Sequence, residues 1–279
     1  MDQRTVNGAS DLESEDTRLA CDRKQPRHRR PGVCAVPKPV VIFGATGGFG
    51  SSIARNLARS GQPLVLAARN RARLKTLGDE LGIEGDDLIT MDVRDSEEVE
   101  KDLIALGERH PKLAGAVVST ASRFENKLAH RQPWAAFSEQ IDLHLKGLHS
   151  LMVALRPMLI GQPNGARVVL LSTEYVLGAP PVKTAPYVAA KAAMTAYAQV
   201  VAQEWLRDGV RVHILAPGMS RTALTGDIPE LFLQQVEATM PEKMLTPADD
   251  VANLAAFCLT SAADTLYGEP IRVSRANRR

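Results

Sequence analysis

Val40-Val41-Ile42-Phe43-Gly44-Ala45-Thr46-Gly47-Gly48-Phe49-Gly50 is the stretch on which the reading of this chain turns. Its first four residues form a short apolar run, as a strand buried on both faces does. Gly44, Gly48 and Gly50 follow in a GxxxGxG spacing, and a helical pattern then runs to about residue 60. Strand, glycine-rich turn and helix in that order make a cradle for a pyrophosphate. One glycine allows the tight turn, one lets the backbone approach the phosphates, and one lets helix and strand pack closely. The helix start adds free N–H groups and the positive end of its dipole. A glycine-rich turn alone would carry little weight, because structural turns also need glycine. Its place after the first strand and before a helix gives it meaning.

Outward from the cradle, apolar runs alternate with amphipathic stretches. Strands are expected at residues 64–67, 88–91, 116–118, 168–171, 210–215 and 271–273. Helices are expected over 70–81, 96–108, 186–207 and 248–259, with one long helix over 134–159. Short, fully apolar strands separated by helices imply a parallel sheet covered on both faces. The expected fold is a doubly wound, Rossmann-type α/β domain over residues 38–279. Residues 1–37 are rich in charge, broken by Pro26, Pro31 and Pro37, and lack apolar periodicity. They read as a disordered tail. The basic run from Arg23 to Arg30 is either part of that solvated tail, the simpler reading, or a site for an anionic partner.

Composition narrows the function classes. Of 279 residues, 44% are hydrophobic and 24% charged, and the formal charge is +2. That balance fits a soluble globular protein. Aromatic residues make up only 4%, which argues against base-stacking platforms, and nothing else points to a nucleic-acid partner. Cys21, Cys34 and Cys258 are odd in number and far apart, so neither disulfides nor a metal site is expected. No apolar run is long enough to span a membrane, and the N-terminus lacks a secretory h-region. A cytoplasmic setting is the expectation.

Two further features bear on chemistry. Arg69 stands at the end of the second strand, about twenty residues past the glycines. A carboxylate there would hold the ribose 2′-OH of NAD(H), whereas an arginine accommodates the 2′-phosphate of NADP(H). NADP(H) is therefore the preferred cofactor, with NAD(H) possible. Tyr187 and Lys191 lie four apart in a helical segment and share one face. A phenol titrates near pH 10 in water, and an adjacent ammonium favours its ionised form.

With these residues in place the chain resembles the short-chain dehydrogenase/reductase family. The resemblance covers nearly everything from Lys38 to Val273 and rests on four segments in order. They are Gly44-Ala45-Thr46-Gly47-Gly48-Phe49-Gly50, Asp92-Val93, Tyr187-Val188-Ala189-Ala190-Lys191, and Ala216-Pro217-Gly218-Met219-Ser220-Arg221-Thr222. It implies hydride transfer between a nicotinamide and a small carbonyl or alcohol substrate. Tyr187 is then the general acid/base, and Lys191 holds the ribose and lowers the tyrosine pKa. Gly44, Thr46, Gly47, Gly48, Phe49 and Gly50 cradle the phosphates, and Asp92 and Val93 line the adenine pocket. Thr120 and Ala121 border the cofactor, while Pro217, Gly218, Ser220 and Thr222 hold its carboxamide and phosphates. The helices over 134–159 and 186–207 pair between subunits in relatives. Leu148, Leu151, Met152 and Leu155 on one and Ala193, Tyr197 and Val200 on the other suggest a homodimer or homotetramer.

Three departures stand out. Ser119-Thr120-Ala121-Ser122 replaces the family's Asn-Asn-Ala-Gly after strand four. His144 replaces an Asn that anchors a water in the proton relay. It either takes that role, titrating near neutrality, or is a packed helix residue. The catalytic serine falls within Leu171-Ser172-Thr173-Glu174. Alignment from the strand selects Thr173 with Ser172 its neighbour, while counting back from Tyr187 lands on Glu174. The chosen catalytic set is Tyr187, Lys191, Thr173, Ser172 and His144. These departures leave room for an alternative, a cofactor-binding relative with reduced catalysis and a regulatory or assembly role. Residues 220–245 hold apolar side chains at helical spacing, either a substrate-covering segment or plain core.

Overall fold

The computed structural model describes residues 37–275 apart from Asp227. The tail expected over residues 1–37 therefore lies outside the described residues, save Pro37. Seven strands form one sheet: β1 (Val40–Phe43), β2 (Leu64–Ala68), β3 (Leu88–Thr90), β4 (Gly115–Val118), β5 (Ala166–Leu171), β6 (Val210–Pro217) and β7 (Pro270–Val273). Their order is β3-β2-β1-β4-β5-β6-β7 and every pairing is parallel. The helices are α1 (Gly48–Arg59), α2 (Arg71–Leu81), α3 (Ser96–Arg109), α4 (Trp134–Ile141), α5 (Gly147–Leu159), α6 (Ala185–Trp205), α7 (Glu230–Thr239) and α8 (Ala248–Cys258).

The apolar strands feed two separate cores. In β1, Val41 and Phe43 join the core shared with α3, α5 and α6, and Val40 and Ile42 join the one shared with α1, α2 and α8. In β5, Val168 and Leu170 divide from Val169 and Leu171 in the same way. Both faces of each strand need apolar side chains, which is why these runs do not alternate with polar residues. β1 pairs with β2 on one side and β4 on the other, so the chain's winding reverses there. A crevice opens beyond the strand ends at such a reversal, where open α/β sheets bind ligands.

Local signals set the helix ends. Asn70 accepts from the Arg73 backbone N–H at 2.9 Å and caps α2, and Gly82 closes it in the left-handed region with φ 69°. Asp95 caps α3 by accepting from the Glu97 and Glu98 N–H groups. The long helix expected over 134–159 is instead two helices joined by a π turn at Asp142–Lys146. Such one-turn widenings occur mostly at functional sites, and His144 sits inside this one. Apolar periodicity continues through the turn, which is why the sequence does not announce it. Among the described residues no helix is long and apolar enough to cross a membrane. Among them, too, no cluster of His, Cys, Asp or Glu has the makings of a metal site.

Candidate active site

A cleft of about 770 Å³ lies across the C-terminal ends of β1, β2, β4 and β5. Its walls include Gly44, Thr46, Gly47, Gly48, Phe49, Arg69, Val93, Thr120, Ala121, Ser172, Tyr187, Lys191 and Thr222, thirteen of the residues expected in the site.

Gly44 adopts φ +76°, and a Cβ there would stand 2.6 Å from the Ser119 carbonyl oxygen at the end of β4. Only glycine fits both the dihedral and the gap. A Cβ on Gly50 would collide with the Gly44 carbonyl, so α1 starts against the turn itself. Gly50 thus works through packing and lies behind the cleft wall. Thr222 reaches over from the segment after β6 to touch Gly48. Gly47, Gly48 and Phe49 at the start of α1 line the cleft, with Thr222 the side chain laid against Gly48. This cradle fits a dinucleotide pyrophosphate.

Beside it, Arg69 lies 3.8 Å from Asp92 and is half exposed. Asn70 and Arg73 share that wall, although the sequence reading passed over them. Asp92 does not line the cleft; its carboxylate is held by a guanidinium fork from Arg94 at 2.6–3.1 Å. Burial pushes its pKa up, but the bonds from Arg94 outweigh burial and hold it below the ordinary value. Of the Asp92-Val93 pair, Val93 lines the cleft. Pro217, Gly218 and Ser220 are also absent from its lining. The Gly218 N–H donates to the Val273 carbonyl at 2.9 Å, and the Ser220 hydroxyl to the Gly218 carbonyl at 3.2 Å.

Tyr187 and Lys191 project from the first turns of α6, whose start carries Pro186 where a missing N–H costs nothing. Both side chains are buried. The Lys191 ammonium donates to the Leu171 carbonyl at 2.6 Å and lies 6.0 Å from the centre of the Tyr187 ring. Burial lowers its pKa to about 7. Burial also raises the Tyr187 phenol, the Thr173 hydroxyl bonded to it works in the opposite sense, and the nearby Tyr175 phenol raises it further. The expected lowering of the tyrosine by the lysine is not seen in the chain alone. Desolvation dominates both groups, and the lysine spends its strongest bond on a carbonyl.

The ambiguity at the end of β5 resolves geometrically. Thr173 meets Tyr187. Ser172 turns its hydroxyl to Thr195 Oγ1 at 2.6 Å, inside α6 packing. Glu174 pairs with Arg272 at 3.5 Å. His144 is 1% exposed and meets the Tyr187 ring edge-on, with centroids 5.8 Å apart. Neither ring nitrogen has a hydrogen-bond partner. Burial, then the charge on Lys191, pushes its pKa well below the ordinary value. His144 is therefore a neutral imidazole at pH 7, and the group that titrates near neutrality is Lys191. After β4, Ser122 accepts from Gln140 Nε2 at 2.9 Å, which ties this unusual segment to α4. Sequence reasoning missed Phe124, which stacks on Tyr187; an isolated aromatic in an irregular loop has no periodicity to flag it.

Comparison with known proteins places the chain in a family. Residues 44–275 match a family model described as "Enoyl-(Acyl carrier protein) reductase". This chain belongs to the short-chain dehydrogenase/reductase family. Like its relatives it is an NAD(P)-dependent oxidoreductase. It is 30% identical over 243 residues to oxidoreductase UcpA of Salmonella typhimurium, covering 83% of this chain and 90% of the relative. To 3-oxoacyl-[acyl-carrier-protein] reductase FabG of Staphylococcus aureus it is 26% identical over 240 residues, covering 85% and 96%. The crystal structure of 3-hydroxyacyl-CoA dehydrogenase type-2 from Mycobacterium avium superposes with a TM-score of 0.76 at 25% identity, over 87% of this chain and 96% of that one.

Proposed function

We propose that this short-chain dehydrogenase/reductase interconverts a carbonyl and a secondary alcohol, with NADP(H) as its preferred cofactor. The observation that carries the reading is the contact set Thr173–Tyr187–Lys191 at one end of a cleft whose other end is the glycine cradle. In reduction the Tyr187 hydroxyl gives its proton to the substrate oxygen, and in oxidation it takes one back. Its raised pKa keeps it protonated at neutral pH, which suits the acid role. Thr173 orients the phenol and the substrate oxygen together.

The bound dinucleotide supplies or accepts the hydride. Gly44, Thr46, Gly47, Gly48 and Phe49, with Thr222, would hold its phosphates, and Val93, Thr120 and Ala121 its adenosine side. Arg69, supported by Arg73, would take the 2′-phosphate. Lys191 would hold ribose hydroxyls, and once charged it favours the phenolate that remains after proton transfer. His144 would take the place of the family's Asn and anchor a water that carries protons onward from Lys191. Its two unpartnered nitrogens support this, because a buried polar atom left unpaired is costly unless it is used.

Fluorescence titration with NADPH and NADH, followed by a carbonyl panel on the tighter cofactor, tests the reading. NADPH should bind more tightly and be oxidised by at least one ketone. Tight NADPH binding with no turnover across a broad panel would leave the cofactor-binding, regulatory alternative.

A homodimer or homotetramer belongs to the same proposal, but it rests on only part of the expected set. Leu148, Leu151, Met152 and Leu155 fill the chain's own core. Among the described residues the large apolar side chains exposed on α5 and α6 are Val153 at 59% and Val200 at 57%, the latter one of those expected, with Ala193 and Tyr197 half-exposed beside it. A two-fold contact would bring each to its own counterpart or to the other.

A further inference from the structure

Aromatic residues are only 4% of this chain, yet three converge where the chemistry is. The Phe124 ring lies on the Tyr187 ring with centroids 4.9 Å apart and planes 12° from parallel. Tyr175 is close enough for its phenol to raise that of Tyr187. Its backbone N–H is held by Thr173 Oγ1 at 3.4 Å, on the turn that also presents the Thr173 hydroxyl. Phe124 and Tyr175 are only half-buried, although both are large and sit beside a buried site.

Their position relative to the cleft is informative. Ser122 and Arg123 line the cleft from the segment after β4, and Tyr187 and Lys191 line it from α6, but Phe124 and Tyr175 do not. They border Tyr187 on a flank outside the cleft that holds the cradle. A carbonyl compound that shares the phenol with a dinucleotide must reach it from that flank, so the group beside its C=O meets these rings. Aromatic faces favour offset-stacked or edge-on contact with another π system beyond what buried area gives, and a puckered aliphatic ring gains the area alone.

We propose that Phe124 and Tyr175 form the substrate-side wall and select carbonyl compounds with a flat π system next to the C=O, that is, aryl or conjugated ketones. This rests on the carbonyl/alcohol reading above and deepens it.

Acetophenone and cyclohexyl methyl ketone have the same carbon count and differ in flatness. Conjugation makes the aryl ketone the less electrophilic of the two, so any preference for it reports recognition and not reactivity. With NADPH, the wild-type kcat/KM should favour acetophenone. Phe124→Leu keeps apolar bulk but loses the π face, and should lower that preference by about threefold to tenfold. Phe124→Trp should retain it. Because Phe124 also packs on Tyr187, the ratio of kcat/KM for the two ketones is the readout, and a change in overall rate common to both does not bear on it. A wild type that favours the cyclohexyl ketone, or a leucine variant with an unchanged ratio, overturns the wall. Calorimetry of both ketones with NADP+-saturated protein asks the same question without turnover. Tighter acetophenone binding that Phe124→Leu abolishes supports the wall even if neither ketone is reduced, in which case only the activity reading falls. Equal affinities overturn it.

Discussion

At one end of the cleft, the cradle at Gly44–Gly50 meets its ligand with backbone. At the other, Tyr187 and Lys191 offer buried side chains, with His144 packed edge-on against Tyr187. The cradle needs glycine because a Cβ would strike Ser119 or Gly44, and its attraction for phosphate comes from helix N–H groups that carry no titratable proton. The end proposed to be catalytic is built from ionisable groups whose charge states depend on burial, and burial moves all three away from their values in water. The first end is a matter of shape and should tolerate changes of pH, whereas the second is a matter of dielectric and should not.

The contrast is broken most directly at Tyr187. Tyr187→Phe removes one oxygen and should cut turnover by ~10²–10⁴, while NADPH affinity by fluorescence titration and the melting temperature stay near wild type. A parallel loss of cofactor affinity would mean that the two ends are not separable.

Lys191→Met should also abolish turnover, and it sharpens the dielectric half of the comparison. Lys191 titrates at about 7 in the folded chain against 10.5 for a free lysine. Between those values the unfolded chain holds more protons, so this group's contribution to stability falls as pH drops from about 10.5 to about 7 and is constant below. Wild type should therefore gain stability between pH 7 and pH 9.5 in denaturant melts. The methionine variant should lose that gain and be the more stable of the two at pH 7. Parallel pH profiles for the two proteins would show that Lys191 is solvated.

Gly44→Ala tests the shape half. The φ of +76° and the approach to Ser119 should cost at least ~1–3 kcal/mol in stability. NADPH affinity should fall, with little pH dependence in either effect. Normal stability and affinity would show that the turn relaxes freely.

The smallest effect is expected at Arg69. Arg69→Ala removes a charge-assisted contact worth ~1.5–3 kcal/mol when well formed. NADPH affinity should weaken about tenfold or more while NADH affinity hardly moves. Because Arg69 already faces Asp92 at 3.8 Å, Asp92→Asn should shift NADPH affinity in the opposite direction. Equal losses of both cofactors in Arg69→Ala would remove the 2′-phosphate assignment.

What was legible and what was not follows the same division. The apolar strands at 40–43, 168–171 and 210–215 appear in the structure at or within two residues of the expected bounds, because a two-sided core demands uninterrupted apolar runs. Tyr187 and Lys191 share a face of α6 because helical spacing dictates it. The π turn at His144, the rotation of Ser172 toward Thr195 and the capture of Asp92 by Arg94 were not legible. Each depends on which neighbour lies within about three ångströms, the reach of a hydrogen bond, and apolar periodicity carries no such information. Leu148, Leu151, Met152 and Leu155 show the same limit from the other side. Periodicity marks them as one helix face but cannot say whether that face meets the chain's own sheet or another subunit, and the sheet took it.

The amino-acid sequence by itself determined the doubly wound sheet, the place of the phosphate cradle and the identity of the tyrosine–lysine pair, because each is written in local spacing. Tertiary structure alone decided which hydroxyl at the end of β5 meets Tyr187 and that His144 is neutral and unpaired. It also decided that Lys191 titrates near 7 and that Phe124 lies flat on Tyr187. The physical reason is that hydrogen-bond geometry, desolvation and ring stacking act between atoms brought together from distant parts of the chain. Their strength depends on the removal of water, which happens only once both cores have closed around the sheet.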